Sequence, residues 1–194
     1  MPKIVDKELQ KKEILQSLQL CLEEKNLSKV TMRDIALKAN MPHSKIHYYF
    51  KNKQQMYLSY IEMYTDNYKV SIENWYQDFI KKHKNMRYSQ ESLIKFFIKD
   101  IVINNQKNKN WIFAKISILE SENLEIENKI KESYKIWHNS VRKVLGEIFD
   151  KHPSKTVAES EVILTLVEGL LTYSLFEEND EERINRILNN VNLC

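Results

Sequence analysis

Residues 31–53 read TMRDIALKANMPHSKIHYYFKNK, and this stretch decides the fold. Thr31 and Asp34 form a T-x-x-D start signal: the threonine oxygen accepts from the free amides of a new helix, and the carboxylate favours its positive end. The helix so opened is brief, from Arg33 to about Lys38. Asn40 tolerates the left-handed backbone of a tight turn, Met41 is placed to drop into a core, and Pro42 suits a helix start. A further short helix follows, about His43 to Tyr49. Ile35, Ala36, Ala39, Met41, Ile46 and Phe50 have the spacing to hold the unit together. His43, Ser44, Lys45, His47 and Tyr48 are then left facing outward, with Tyr49 and Lys53 at the edge. Burying His47 or Lys45 without partners would cost roughly 1–3 kcal/mol each, which favours exposure.

Upstream, Ile14, Leu18, Cys21 and Leu22 recur at helical spacing between Lys7 and Lys25. This first amphipathic helix stops near Asn26, which is suited to a left-handed cap. Two short helices around a turn, behind a longer one, make a helix-turn-helix, whose second helix enters the major groove of DNA. Charge points the same way. Residues 1–53 hold 11 Lys and Arg against 6 Asp and Glu, while residues 54–194 hold 19 against 21. A basic end on a near-neutral body is the pattern of a polyanion-binding module joined to something else.

Downstream the periodicity lengthens. Met56, Ile61, Tyr64, Tyr68, Trp75 and Phe79 trace one face of a helix reaching about Lys82. Leu93, Phe97, Ile101 and Val102 mark the next, and Trp111, Ile112, Ile116 and Leu119 a shorter one. Ile126, Ile130, Tyr134, Trp137, Val141, Leu145 and Ile148 give a long one. Two more follow, about Thr156 to Phe176, apolar nearly all round, and about Asp180 to Val191. The acidic run Glu177 to Glu182 reads as a solvated turn with a helix start. With 2 Gly and 3 Pro in 194 residues, strands joined by tight turns are disfavoured, and the expected class is all-α. The expected division is a three-helix DNA-binding domain over 1–52 and a helical bundle over 53–194. No flexible linker separates them, so the helix starting near Lys53 belongs to both.

Cys21 lies in an amphipathic run and Cys194 ends the chain, so no disulfide framework is present, which suits a reducing compartment. The charged start MPKIVDKELQKKEI lacks a signal-peptide core, and nothing reaches the roughly 18 unbroken apolar residues of a spanning helix. A cytoplasmic protein with no membrane association is expected. No Ser/His/Asp order, Cys/His pair or phosphate-cradling glycine loop appears, so an enzyme is not expected, nor a cofactor. His43 and His47 stand four apart, a spacing that lets two imidazoles share a metal, but no third ligand is evident and no metal site is expected.

The T-x-R-D-I-A opening at Thr31 to Ala36 and the I-H-Y-Y-F-K-N-K close at Ile46 to Lys53 resemble the TetR family of bacterial transcriptional repressors. The resemblance covers about residues 10–60. It implies that His43, Lys45 and His47 lie where family members touch base edges or nearby phosphates, with Arg33 reaching either; Ser44, which stands where the family often has Gly, is a DNA-facing candidate by its outward position. It also implies phosphate contacts from Tyr48, Tyr49 and Lys53, and a cap at Thr31 that also approaches the backbone. For the body it implies a homodimer formed by the last two helices, with Gly169 allowing close approach, and a palindromic double-stranded DNA operator. An internal pocket for a small-molecule inducer is implied too, with Trp75, Phe79, Phe97, Trp111, Tyr134, Trp137 and Tyr173 as candidate lining. Such an inducer would be apolar or aromatic and, if cationic, would find a counter-charge in Glu120 or Glu168; each is equally readable as a solvated or interfacial carboxylate. Two functions stay open: a ligand-released repressor, or a DNA-bound adaptor whose body docks a protein partner.

Overall fold

The computed structural model describes residues 7–84, 86–107, 111–120, 122–174 and 181–191. Every regular element among them is helical: α1 (Lys7–Glu24), α2 (Met32–Lys38), α3 (His43–Tyr49), α4 (Lys53–Lys82), α5 (Gln90–Lys107), α6 (Trp111–Leu119), α7 (Leu124–Phe149), α8 (Val157–Tyr173) and α9 (Glu181–Asn189). Short 3-10 turns at Leu27–Lys29 and Pro153–Lys155 join α1 to α2 and α7 to α8. The all-α expectation holds, and the expected stripes of α4 and α5 are buried throughout. Leu119 departs from its stripe: it ends α6, beside the turn into α7, and is exposed. Asn26 also departs, being extended (φ −64°, ψ 148°) as the cap of the 3-10 turn rather than left-handed. The helix expected over Thr156 to Phe176 runs from Val157 to Tyr173, with Ser174 as its cap, and residues 175–180, with most of the acidic run, lie outside the described residues, as does Cys194.

Local chemistry ends the short helices. Thr31 Oγ1 accepts from the Asp34 amide (3.2 Å) while Asp34 Oδ2 accepts from the Thr31 amide (2.8 Å), closing a capping box. At the other end of α2, Asn40 takes φ 49°, Met41 N donates to Ala36 O (3.0 Å) and Asn40 N to Leu37 O (3.1 Å). That paired reversal satisfies the last carbonyls of α2 and turns the chain into α3.

The body is organised by α4 lying along α7. Trp137, fully buried, donates its indole N–H to the Thr65 carbonyl (3.3 Å), and the Thr65 and Ser133 hydroxyls meet at 2.7 Å beside it. Around Trp137 pack Tyr64, Tyr68, Phe113 and Tyr134, with ring centroids 4.8–6.0 Å away. Toward the rim the same two helices exchange Lys143–Glu73 (2.8 Å) and Gln77–Glu147 (2.9 Å) contacts. α5 packs on α8 and α9, and α8 packs on α7, closing the bundle.

The α7–α8 corner is tight. Asp150 is left-handed (φ 50°), Lys151 N donates to Gly146 O (3.0 Å), and Arg142 Nε donates to Pro153 O (3.2 Å). A Cβ built on Gly146 would meet the Lys151 carbonyl at 2.8 Å. Replacing an ordinary helical glycine by alanine gains up to about 1 kcal/mol. Gly146→Ala is expected instead to destabilise the fold by about 1 kcal/mol or more, because backbone must move, and chemical denaturation checks the sign.

Candidate functional site

α3 is held by its apolar side. Ile46 is fully buried, Phe50 is 2% exposed, and Tyr49 is half-buried against the core. The opposite side is open: His43, Ser44, His47 and Tyr48 are exposed, Tyr48 by 69%. Lys45 is half-buried at the margin. His43 and His47 meet ring edge to ring face (centroids 4.5 Å), as do Tyr48 and Tyr49 (5.1 Å), giving the short helix a continuous aromatic outer surface. Among the described residues no third His, Cys, Asp or Glu joins the histidine pair in a metal-binding group.

Two of the basic side chains here are spent within the module. Lys25 pairs with Asp34 (2.6 Å) and Lys38 with Glu24, both tying α1 to α2. The Lys25 hydrogen bond, with those from Thr31, draws the Asp34 carboxyl down to about 2. Arg33, Lys45, Lys51 and Lys53 take part in no ion pair among the described residues and flank the outer face of α3. The turn after α3 is fixed by the Asn52 side chain, which accepts from the Gln55 amide (2.9 Å), and by Gln55 Oε1, which accepts from the Lys51 amide (2.9 Å). Lys51, Lys53 and the first free amides of α4 are thereby set side by side, a ready arrangement for a phosphate. Of the nine residues singled out in the sequence, Thr31, Arg33, His43, Ser44, His47 and Tyr48 are exposed, and Lys45, Tyr49 and Lys53 are half-buried.

Residues 14–60 match the family model described as bacterial regulatory proteins, tetR family. That segment, from α1 to the start of α4, is a TetR-type N-terminal DNA-binding domain. Solved structures similar to the whole chain carry the same fold. A TetR transcription regulator from Haloarcula marismortui aligns with TM-score 0.61 at 15% identity, over 94% of each chain. A TetR transcriptional regulator from Rhodococcus sp. RHA1 aligns with TM-score 0.55 at 14% identity, over 97% of this chain and 100% of that one. A TetR-family regulator from Streptomyces coelicolor gives 0.54 at 14%, over 93% and 94%. No curated protein matches the chain. Among the described residues no helix is long and apolar enough to cross a membrane.

In the body the seven aromatic candidates divide rather than surround one space. Trp75, Phe79 and Phe97 form a cluster between α4 and α5, with Trp75 Nε1 donating to Asp100 (2.9 Å) and Phe79 stacked on Trp75 (4.9 Å). Tyr134 and Trp137 belong to the second cluster, on α7. Tyr173 is 45% exposed at the end of α8, with the Arg183 guanidinium 4.0 Å from its ring. The Trp111 side chain lies outside the described residues. The sequence reading overlooked Tyr64, Tyr68 and Asn105 as interior polar groups. Tyr64 donates to Asn105 (3.0 Å), and the buried Tyr68 hydroxyl has no partner among the described residues. Hydroxyls on an otherwise apolar helix stripe were the available signal. Glu168 is half-buried and accepts from Tyr134 (3.3 Å), and burial pushes its carboxyl up to about 7 against the pull of that hydrogen bond.

The capping box is separable from DNA contact by stability. Thr31→Ala is expected to cost about 1 kcal/mol in denaturant unfolding. Asp34 contributes stability above its unfolded value of 3.8, lost as pH falls through about 2, so the difference between wild type and Asp34→Asn should shrink below pH 4.

Proposed function

We propose that the chain is a ligand-responsive repressor that binds a palindromic operator as a homodimer and is released by a small-molecule inducer. The observation that carries the DNA half is the outer face of α3: polar and aromatic groups exposed on a short helix pinned by Ile46 and Phe50, with uncommitted cations on its flanks. In this reading His43, Ser44 and His47 face base edges, Lys45 and Arg33 reach edge or phosphate, and Tyr48, Tyr49 and Lys53 hold phosphates. Thr31 caps α2 beside the backbone. Two heads roughly 34–36 Å apart meet successive major grooves on one side of the duplex.

Support for the dimer comes from α8. Its outward side carries Ala158, Val162, Thr165, Gly169 and Thr172, all exposed in the single chain, and a Cβ built on Gly169 would touch nothing within 4 Å. Small residues along an open helix face suit a second copy, the common closed arrangement of soluble oligomers. Support for the inducer comes from the two aromatic clusters in the body and the cavities beside them. An inducer acts by favouring the conformation in which the heads leave groove register, and it shifts affinity only by its preference for that state, typically 1–3 kcal/mol.

The adaptor reading has one observation in its favour. Ile118, Leu119 and Leu124 are each more than 60% exposed at the α6–α7 corner, an apolar spot of the kind a protein partner covers. It predicts that operator binding responds to a protein and to no small molecule.

The deciding experiment is to recover the fragments of its source genome that the purified chain retains, then titrate them with variants. His47→Ala is expected to lose about 1–3 kcal/mol on the recovered site and little on scrambled DNA. Lys45→Ala should weaken both and lower the salt slope by about one. Retention of the site by the double variant with unchanged affinity would remove α3 as the reader. For the interface, Gly169→Ala is expected to leave or slightly raise the stability of the protomer while weakening self-association at least tenfold in sedimentation; unchanged association would place the interface elsewhere.

A further inference from the structure

Between α7 and α8 runs an open groove of about 620 Å³, lined by Tyr134, His138, Leu164, Glu168, Gly169 and Tyr173 among others. Glu168 is the acidic group in that lining, and no Lys or Arg belongs to it. Its Oε2 accepts from the Tyr134 hydroxyl, and among the described residues no second donor reaches the carboxylate. A carboxylate that is withdrawn from water and has a single neutral donor is poorly solvated, and a positive charge placed beside it regains what burial removed. The rings are arranged to help. Tyr134 stands edge-on to the buried Trp137 (5.2 Å), and Tyr64 and Tyr68 pack on the same indole. Tyr173 at the groove's end already holds a guanidinium over its ring. Aromatic faces beside a carboxylate are the chemistry that holds an ammonium ion.

We propose that this groove is the inducer site and takes an organic cation, a substituted ammonium on an apolar body, with its nitrogen at Glu168 beside the Tyr134 ring. The assignment rests on the ligand-responsive reading above and names the ligand class for it. Thr165, Gly169 and Thr172 serve both this groove and the face assigned to the second copy, so the bound cation lies against the dimer seam. Occupancy there bears directly on how the two protomers sit.

The test uses full-length protein with phenyltrimethylammonium and its neutral carbon isostere, tert-butylbenzene, titrated by tryptophan fluorescence and calorimetry. The cation is expected to bind at least tenfold tighter than the isostere. Glu168→Gln should remove at least tenfold of the cation's affinity and leave the isostere within twofold. Tyr134→Leu should weaken the cation with Glu168 intact, which separates ring from charge. Circular dichroism confirms that both variants fold. Calorimetry in buffers of different ionisation heat adds a readout that packing alone does not move. Cation binding near pH 7 should release protons in the wild type and fewer in Glu168→Gln; His138, Tyr134, Tyr64 and Tyr68, the other titratable neighbours, are unchanged between the two. Equal affinity for cation and isostere, no binding of either, or an unaffected Glu168→Gln overturns the assignment. DNA retention measured in parallel keeps the two levels apart. If a neutral molecule releases DNA and the cation does not bind, the ligand response stands and this site falls; if the cation binds at Glu168 and DNA affinity is unmoved, the site stands as a cation site and its role as inducer site falls.

Discussion

The packing of α4 along α7 is the constraint on which the rest of the molecule depends. At about 1.5 Å per residue, the 30 residues of α4 span about 45 Å, from the turn behind the recognition helix to the far end of the body. Its head end contacts α1 and its remaining length is seated on α7 by the Trp137 indole, the Thr65–Ser133 hydroxyl pair and the flanking aromatic rings. Because α4 is seated on α7 along most of its length, from Gln54 to Gln77, its direction follows that of the body. Head and body share this helix with no linker between them, so the orientation of α3 is a property of the whole chain.

That arrangement explains why the polar groups of the body are distributed as they are. Hydroxyls along α4 and α7 meet in a largely apolar interface where each must be matched, which fixes the register of one helix on the other. Tyr64 finds Asn105 across on α5, and Thr65 finds Ser133, whereas Tyr68 finds nothing among the described residues. The unmatched hydroxyl and the thinly solvated Glu168 both border the aromatic cluster around Trp137, so this well packed part of the body carries polar atoms that are incompletely satisfied. Such places are where a protein of this kind has affinity left to give to a ligand.

The head was legible from sequence because its structure is decided by local chemistry. Thr31, Asp34, Asn40 and Pro42 act within a few residues of themselves, and each took the role its side chain dictates. Asn26 shows the limit: its tolerance of a left-handed backbone was not used, because the chain needs a 3-10 turn there to bring Leu27 and Val30 into the core. Helix periodicity in the body was equally plain, since apolar stripes are set by burial alone. What periodicity does not carry is which stripe meets which. Trp75 and Trp137 have the same apolar spacing in the sequence yet end in separate clusters, and Leu119 falls outside because its helix stops beneath it. The sequence places Gly169 at a close approach of helices, and among the described residues nothing lies within 4 Å of a Cβ built there.

One small feature has a mechanical meaning. Gln54, on the first turn of α4 just behind the recognition helix, donates to Glu125 (2.8 Å) and approaches Asn123 (3.5 Å), the residue that caps α7. This is a solvent-facing amide-to-carboxylate bond, whose net strength is of the order of 1 kcal/mol. It clips the head end of the lever to the body without making that attachment rigid. A clasp of this strength is comparable to the coupling that a bound effector commonly exerts. Beside the unbroken α4 helix, this clasp is the lesser of the two attachments that set how the head sits on the body.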